Sequence, residues 1–274
     1  MATQTTNARI TSRRVQYGNS VDAFMAVPEG AEPHPCVILL HERYGLVQHT
    51  LDLAARFAGD GYLCLAPNLY SRHPNQEALA RGDITVALAD GEVLDDLNAG
   101  IAFLETEPAA DTRRLALMGV CATARYPLIV AANRPDVGAC LVFYGAAQPR
   151  EWEVTERQPE ALDAIIGRVP CPVLGVFGEN DHIITVDDVR RLRDTLETQR
   201  KSYHIRIFAG APHGWLNDTM PGRYRPEAAA AAWQLTVDFL TRVWSAGYPT
   251  EQVQWTFESA IASDYDPSKN VRLE

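Results

Sequence analysis

Three observations predict an α/β protein built on a doubly wound, mostly parallel sheet with helices on both faces. Short strand-like segments rich in apolar residues recur along the chain, at 36–40, 62–67, 114–120, 139–145, 171–178 and 202–210, and 36–40 is apolar throughout. Uninterrupted apolar character is what a strand buried on both faces requires. Between the runs lie amphipathic stretches with helical periodicity, at 50–58, 94–106, from about 122, 186–199 and 225–244. Strands that alternate with helices of this length build βα units.

The first element departs from that alternation. Residues 13–27, RRVQYGNSVDAFMAV, read as two strands around Gly18-Asn19, a β-hairpin signal. Gly59-Asp60-Gly61 stops the 50–58 helix, and Pro226 is tolerated in the first turn of the last one. No repeat, low-complexity block or Gly/Ser linker divides the chain. The expected organisation is a polar tail (1–11), one domain (12–244) and an extension (245–274). That extension carries Trp255, Phe257 and Tyr265, so it is expected to pack on its own domain or on a second subunit as a homodimer contact.

Composition excludes several classes. The 274 residues carry 25 Lys+Arg against 35 Asp+Glu, a net charge of −10. Such a chain repels phosphate backbones, which argues against nucleic acid as a partner. No apolar run reaches the ~18 residues of a membrane span, and the N-terminus lacks the apolar core of a secretory signal. The five cysteines, at 36, 64, 121, 140 and 171, are odd in number and widely spaced, without a CxxC pair. That usage suits reduced thiols and a cytoplasmic location rather than a disulfide frame. The seven histidines show no metal-ligand spacing, and no phosphate-binding Gly-rich loop occurs, so no metal or cofactor is expected.

Ligands of open α/β sheets bind at the carboxyl ends of the strands. Reading those ends gives Cys121 after the 114–120 run, Asp181 after 172–177 and His213 after 203–208, spaced by 60 and 32 residues. Nucleophile, acid and histidine in that order is the chain order of α/β-hydrolase triads. A deprotonated thiol is a strong nucleophile. Imidazole shuttles its proton, and a carboxylate fixes the imidazole tautomer. Each residue also has a bland alternative. Cys121 suits a fifth core thiol, His213 a loop histidine, Asp181 a helix cap, and Glu42 an ion pair with Arg43 or Arg72.

Five segments together are more specific than any one residue: His41-Glu42-Arg43-Tyr44-Gly45-Leu46, Ala66-Pro67-Asn68-Leu69-Tyr70, Gly119-Val120-Cys121, Gly178-Glu179-Asn180-Asp181 and Ala211-Pro212-His213-Gly214. In this order, over about residues 12–243, the chain resembles the dienelactone hydrolases (carboxymethylenebutenolidases). The resemblance implies an α/β-hydrolase fold, a Cys121–His213–Asp181 triad and no cofactor. It implies cleavage of a small ester or lactone through a thioester acyl-enzyme. It also implies that Glu42 holds the thiol's proton and helps form the thiolate. The oxyanion hole would be the backbone N–H groups of Ala122, at the start of the helix after the nucleophile, and of Arg43.

Three positions depart from the family pattern. Thr123 stands where the elbow G-x-C-x-G carries its second glycine, and Arg125 where a small residue is usual. Of the two arginines with which the family grips a substrate carboxylate, Arg72 matches one, but Asn217 occupies the place of the other. Arg72 and Arg125 are the expected cations of the substrate pocket, the alternatives being a surface arginine at 72 and a carboxylate-paired one at 125; Tyr70, Tyr144 and Trp215 are expected as its aromatic lining or else as core or rim aromatics. The alternatives on the same fold are a non-catalytic ligand-binding or regulatory protein and an acyltransferase.

Overall fold

A computed structural model describes residues 9–249 and 251–260. Nine strands form one sheet: β1 (Ile10–Tyr17), β2 (Val21–Pro28), β3 (His34–Leu39), β4 (Leu63–Pro67), β5 (Ala110–Val120), β6 (Ala139–Phe143), β7 (Val173–Asn180), β8 (Tyr203–Pro212) and β9 (Trp255–Ser259). Their order across the sheet is β1-β2-β4-β3-β5-β6-β7-β8-β9. The β1–β2 hairpin and the β2–β4 pair are antiparallel, and every pair from β4 through β9 is parallel.

Among the described residues, seven α-helices cover the sheet: α1 (Gln48–Gly59), α2 (Gln76–Arg81), α3 (Asp90–Glu105), α4 (Tyr126–Asn133), α5 (Leu162–Arg168), α6 (Val186–Thr198) and α7 (Pro226–Val243). Alternate residues of each strand face opposite layers. Cys36, Ile38 and Leu40 of the β3 segment join a core with α3, α4, α5 and α6, whereas Val37 and Leu39 join α1 and α7 on the other face. Two-sided burial explains why the central strands carry no polar alternation.

The hairpin and the α/β alternation follow the sequence reading. The helix expected from about residue 122 begins later: Cys121–Thr123 is a 3-10 turn, and α4 starts at Tyr126. In the C-terminal extension, Trp255–Ser259 adds β9 to the edge of the sheet beside β8, with Trp255 half exposed. Tyr265 lies outside the described residues. Among the described residues no helix is long and apolar enough to cross a membrane.

Candidate active site

The parallel register delivers the strand ends to one edge of the sheet. β5 ends at Val120, and the next residue, Cys121, takes φ +56°. A left-handed conformation is costly for a residue with a side chain and is tolerated where the surroundings over-determine it. The turn is packed without slack. A Cβ on Gly119 would stand 2.6 Å from the Ala124 Cα and from the Thr123 carbonyl. Thr123, the first departure from the family pattern, is fully buried and ties the elbow down. Its hydroxyl accepts from the Val120 N–H at 3.2 Å and donates to the His41 carbonyl at 2.9 Å.

β7 and β8 stay paired beyond a register shift, with Asn180 opposite Pro212. The following residues, Asp181 and His213, are thereby neighbours. A Cβ on Gly178 would lie 2.2 Å from the Ala211 carbonyl oxygen, so glycine is required for that approach. His213 Nδ1 lies 2.8 Å from Asp181 Oδ2, and Nε2 lies 3.0 Å from Cys121 Sγ. The other Asp181 oxygen accepts from the backbone N–H groups of Ile183 (2.8 Å) and Ile184 (3.0 Å), which fixes the carboxylate. Burial disfavours the imidazolium, but the Asp181 hydrogen bond and then the Cys121 contact outweigh it and hold His213 up to about 9. Cys121 is the one half-buried cysteine; Cys36, Cys64, Cys140 and Cys171 are core residues. Burial first, and then neighbouring Cys36, raise Cys64 well above the ordinary thiol value, and burial dominates the rise of Cys36 to about 12.

Glu42 is buried one step beyond His41, and no hydrogen bond among the described residues joins it to the Cys121 thiol. Its Oε2 accepts from Asn217 Nδ2 at 2.6 Å and its Oε1 from the Tyr144 hydroxyl at 3.2 Å. The partner of the thiol is His213. Tyr144 is fully buried and sets its ring edge-on to His213, 5.4 Å between centroids. It is therefore a link between Glu42 and His213 rather than pocket lining. Trp215 is likewise a core residue, fully buried against Phe208 and Tyr144.

Beside the elbow lies a cavity of about 330 Å³ whose walls include Arg43, Tyr70, Ala122 and Arg125. Ala122 is the second residue of the 3-10 turn, where an N–H has no partner within its own helix. Among the described residues, no hydrogen bond takes up the Arg43 N–H. A larger depression of about 440 Å³, along α5 and α6, contains none of the strand-end residues.

The two expected substrate cations are otherwise occupied. Arg72 makes a two-pronged pair with Asp96, at 3.1 and 2.6 Å, in a separate depression with Asn19, Glu92 and Asp95. Arg125 reaches the cavity wall but is buried between Glu151 Oε2 (2.6 Å) and Asp90 Oδ2 (3.0 Å). Its charge is neutralised by protein. Arg43 and Arg157 also line the cavity, and among the described residues their guanidinium groups hydrogen-bond only to carbonyls, those of Gly82 (2.9 Å) and Ala87 (3.2 Å).

His41 escaped the sequence reading. Its Nδ1 donates to its neighbour's carbonyl, that of Glu42 (2.6 Å), and Nε2 accepts from the Leu69 N–H (3.0 Å). Burial holds it down at about 4, so it stays neutral and bridges two active-site loops. A lone histidine at a strand end carries no sequence signal for that task.

A cysteine on a strained strand-to-helix turn after β5, facing a histidine after β8 and a carboxylate after β7, is the arrangement of an α/β-hydrolase site. The chain belongs to the dienelactone hydrolase family, whose sequence model it matches over residues 21–244. It is accordingly a carboxylic ester hydrolase. A protein of Methylorubrum extorquens assigned as a carboxymethylenebutenolidase is 29% identical over 224 residues, covering 80% of this chain and 76% of that protein. A Bradyrhizobium protein assigned as a 2-oxo-3-(5-oxofuran-2-ylidene)propanoate lactonase is 27% identical over 226 residues, covering 81% and 90%. Among solved structures, a Klebsiella pneumoniae protein assigned as a dienelactone hydrolase superposes with a TM-score of 0.74. It is 26% identical, with 85% of this chain and 99% of that one covered.

Proposed function

We propose that the chain hydrolyses a small ester or lactone with Cys121 as nucleophile, through a thioester acyl-enzyme. One observation carries this reading: the unbroken line from Cys121 Sγ through His213 Nε2 and Nδ1 to Asp181 Oδ2, at 3.0 and 2.8 Å. Sγ attacks the acyl carbon, and His213, held up to about 9, carries the proton that the thiol gives up. It returns that proton to the leaving alkoxide, and then deprotonates the water that cleaves the thioester. Asp181 keeps the Nδ1 proton facing inward and steadies the imidazolium. The N–H groups of Arg43 and Ala122 receive the developing oxyanion. Glu42, anchored by Asn217 and Tyr144, is a fixed charge beside the dyad in this scheme, and the proton passes only to His213.

The cavity suits a small acyl group, and the lactonase relative supports a cyclic ester as one substrate type. Arg43 and Arg157 are the cavity's cations without a carboxylate partner among the described residues. An acidic substituent on the substrate would meet them, and not Arg72. The test is turnover of an ester and lactone panel by wild type and Cys121→Ala. Removing a nucleophile that acts as a unit with its base lowers kcat by about 10³-fold or more. Retention of wild-type turnover by Cys121→Ala would exclude the mechanism.

A further inference from the structure

Tyr70 is fixed on every side except at its hydroxyl. Its N–H donates to Asn68 Oδ1 at 3.0 Å, and its carbonyl accepts from Gln76 Nε2 at 2.6 Å. Its ring lies on the His41 imidazole, 4.7 Å between centroids, and presses on the turn that carries Arg43. A Cβ on Gly45 would stand 3.4 Å from Tyr70 Cδ2. The preceding N–H, of Leu69, is bonded to His41 Nε2. The residue is 3% exposed and shares the wall of the catalytic cavity with Arg43 and Ala122.

No hydrogen bond among the described residues engages the Tyr70 hydroxyl, and it is not sealed in the core as the Tyr17 hydroxyl is. It opens on the cavity. Tyr126 also lines that cavity, but its phenol senses Asp90, Arg125, Glu151 and Tyr70, and not Cys121. Tyr70 senses Cys121 and Arg43 instead. Burial first, and then the Cys121 charge, push it up to about 12, with Arg43 opposing, so it remains a donor throughout the neutral range.

We propose that the Tyr70 hydroxyl is a third donor to the oxyanion, acting with the N–H groups of Arg43 and Ala122. This rests on Cys121 being the nucleophile. When Sγ attacks, the C–S bond forms and the carbonyl π pair moves onto oxygen. Tyr70 donates a hydrogen bond to that oxygen and keeps its proton. When the intermediate collapses, the pair re-forms C=O, the C–O bond to the leaving group breaks, and the alkoxide takes its proton from His213. A preorganised donor of this kind strengthens only as charge develops, so it acts on kcat rather than on KM.

The experiment compares Tyr70→Phe with wild type in three readouts: hydrolysis of p-nitrophenyl acetate, alkylation of Cys121 by iodoacetamide, and binding of an aldehyde that forms a hemithioacetal. The expected result is a fall in kcat of about 10²-fold, with KM and the alkylation rate changed less than about threefold. Aldehyde affinity falls along with kcat. Alkylation creates no oxyanion, so a loss of alkylation equal to the loss in kcat would mark a purely structural role and overturn the proposal. Retention of kcat would overturn it as well. If Tyr70→Phe does not fold, a difluorotyrosine at position 70 keeps the ring and acidifies the hydroxyl. Its kcat should then show a new basic limb, and absence of that limb rejects the donor. Failure of the nucleophile reading is separate: it appears as unimpaired turnover by Cys121→Ala.

Discussion

Asn217 Nδ2 donates to Glu42 Oε2 at 2.6 Å, and the amide cannot turn away. Its Oδ1 accepts from both the N–H (3.1 Å) and the hydroxyl (2.7 Å) of Thr219, which fixes the NH₂ toward the carboxylate. The residue that displaces a substrate-gripping arginine of the family has thus become a clamp on Glu42. Asn217→Ala leaves a buried carboxylate one donor short, which costs about 1–3 kcal/mol. Urea denaturation of Asn217→Ala, Glu42→Gln and the double variant measures it. The double variant should lose less than the sum of the singles, because the two side chains act on each other.

Arg125 is a structural cation. Removing it strands Asp90 and Glu151 against each other in the interior, and Asp90 is already held up to about 6, by burial first, despite Arg125. Arg125→Ala should cost about 3–5 kcal/mol in chemical denaturation. Arg125→Met combined with Asp90→Asn and Glu151→Gln should recover most of that loss. A substrate-binding arginine would instead give a raised KM at unchanged stability.

The contrast between Cys121 and Arg125 shows what the sequence conveyed. Strand ends are readable because apolar runs mark them and the sheet brings them to one edge; Cys121, Asp181 and His213 follow from that alone. The partner of a long side chain is not readable. Arg72 matches a family arginine and Arg125 stands where the family has a small residue, but their partners Asp96, Asp90 and Glu151 come from helices and turns whose rotation no motif records. Glu42 follows a readable strand end, but its oxygens are bonded by Asn217 and Tyr144 from distant segments that no motif links to it. Likewise β9 was hidden, because five residues at a sheet edge carry too little pattern to separate from a tail.

Thr123 fills the place of a family glycine and bonds the elbow to His41 and Val120. Thr123→Val keeps the shape and removes the hydroxyl. The His41 carbonyl and the Val120 N–H are then left buried without their partner, a loss of about 1–3 kcal/mol. Thermal melts of Thr123→Val and Thr123→Ser check it, with serine retaining most of the stability.

Stability should fall toward alkaline pH through His213. A histidine raised from 6.5 to about 9 on folding contributes stability that is fully present below about pH 6.5 and lost as pH rises through about 9. Wild-type Tm is expected to drop across that window, by about 2–4 °C per kcal/mol of linkage. Asp181→Asn removes the largest favourable contribution to the imidazolium, so its Tm should change less over the same range. Equal slopes in the two proteins would deny the Asp181–His213 coupling.

The most direct measurement of the central claim is the intact mass of the protein, acid-quenched within milliseconds of mixing with an activated ester. Acid preserves a thioester, so wild type should gain the mass of one acyl group, released by hydroxylamine and mapped to the peptide containing Cys121. His213→Ala should accumulate it far more slowly, and Cys121→Ala should not acquire it. An acyl group on another residue, or turnover of the same ester by Cys121→Ala at the wild-type rate, would contradict the account.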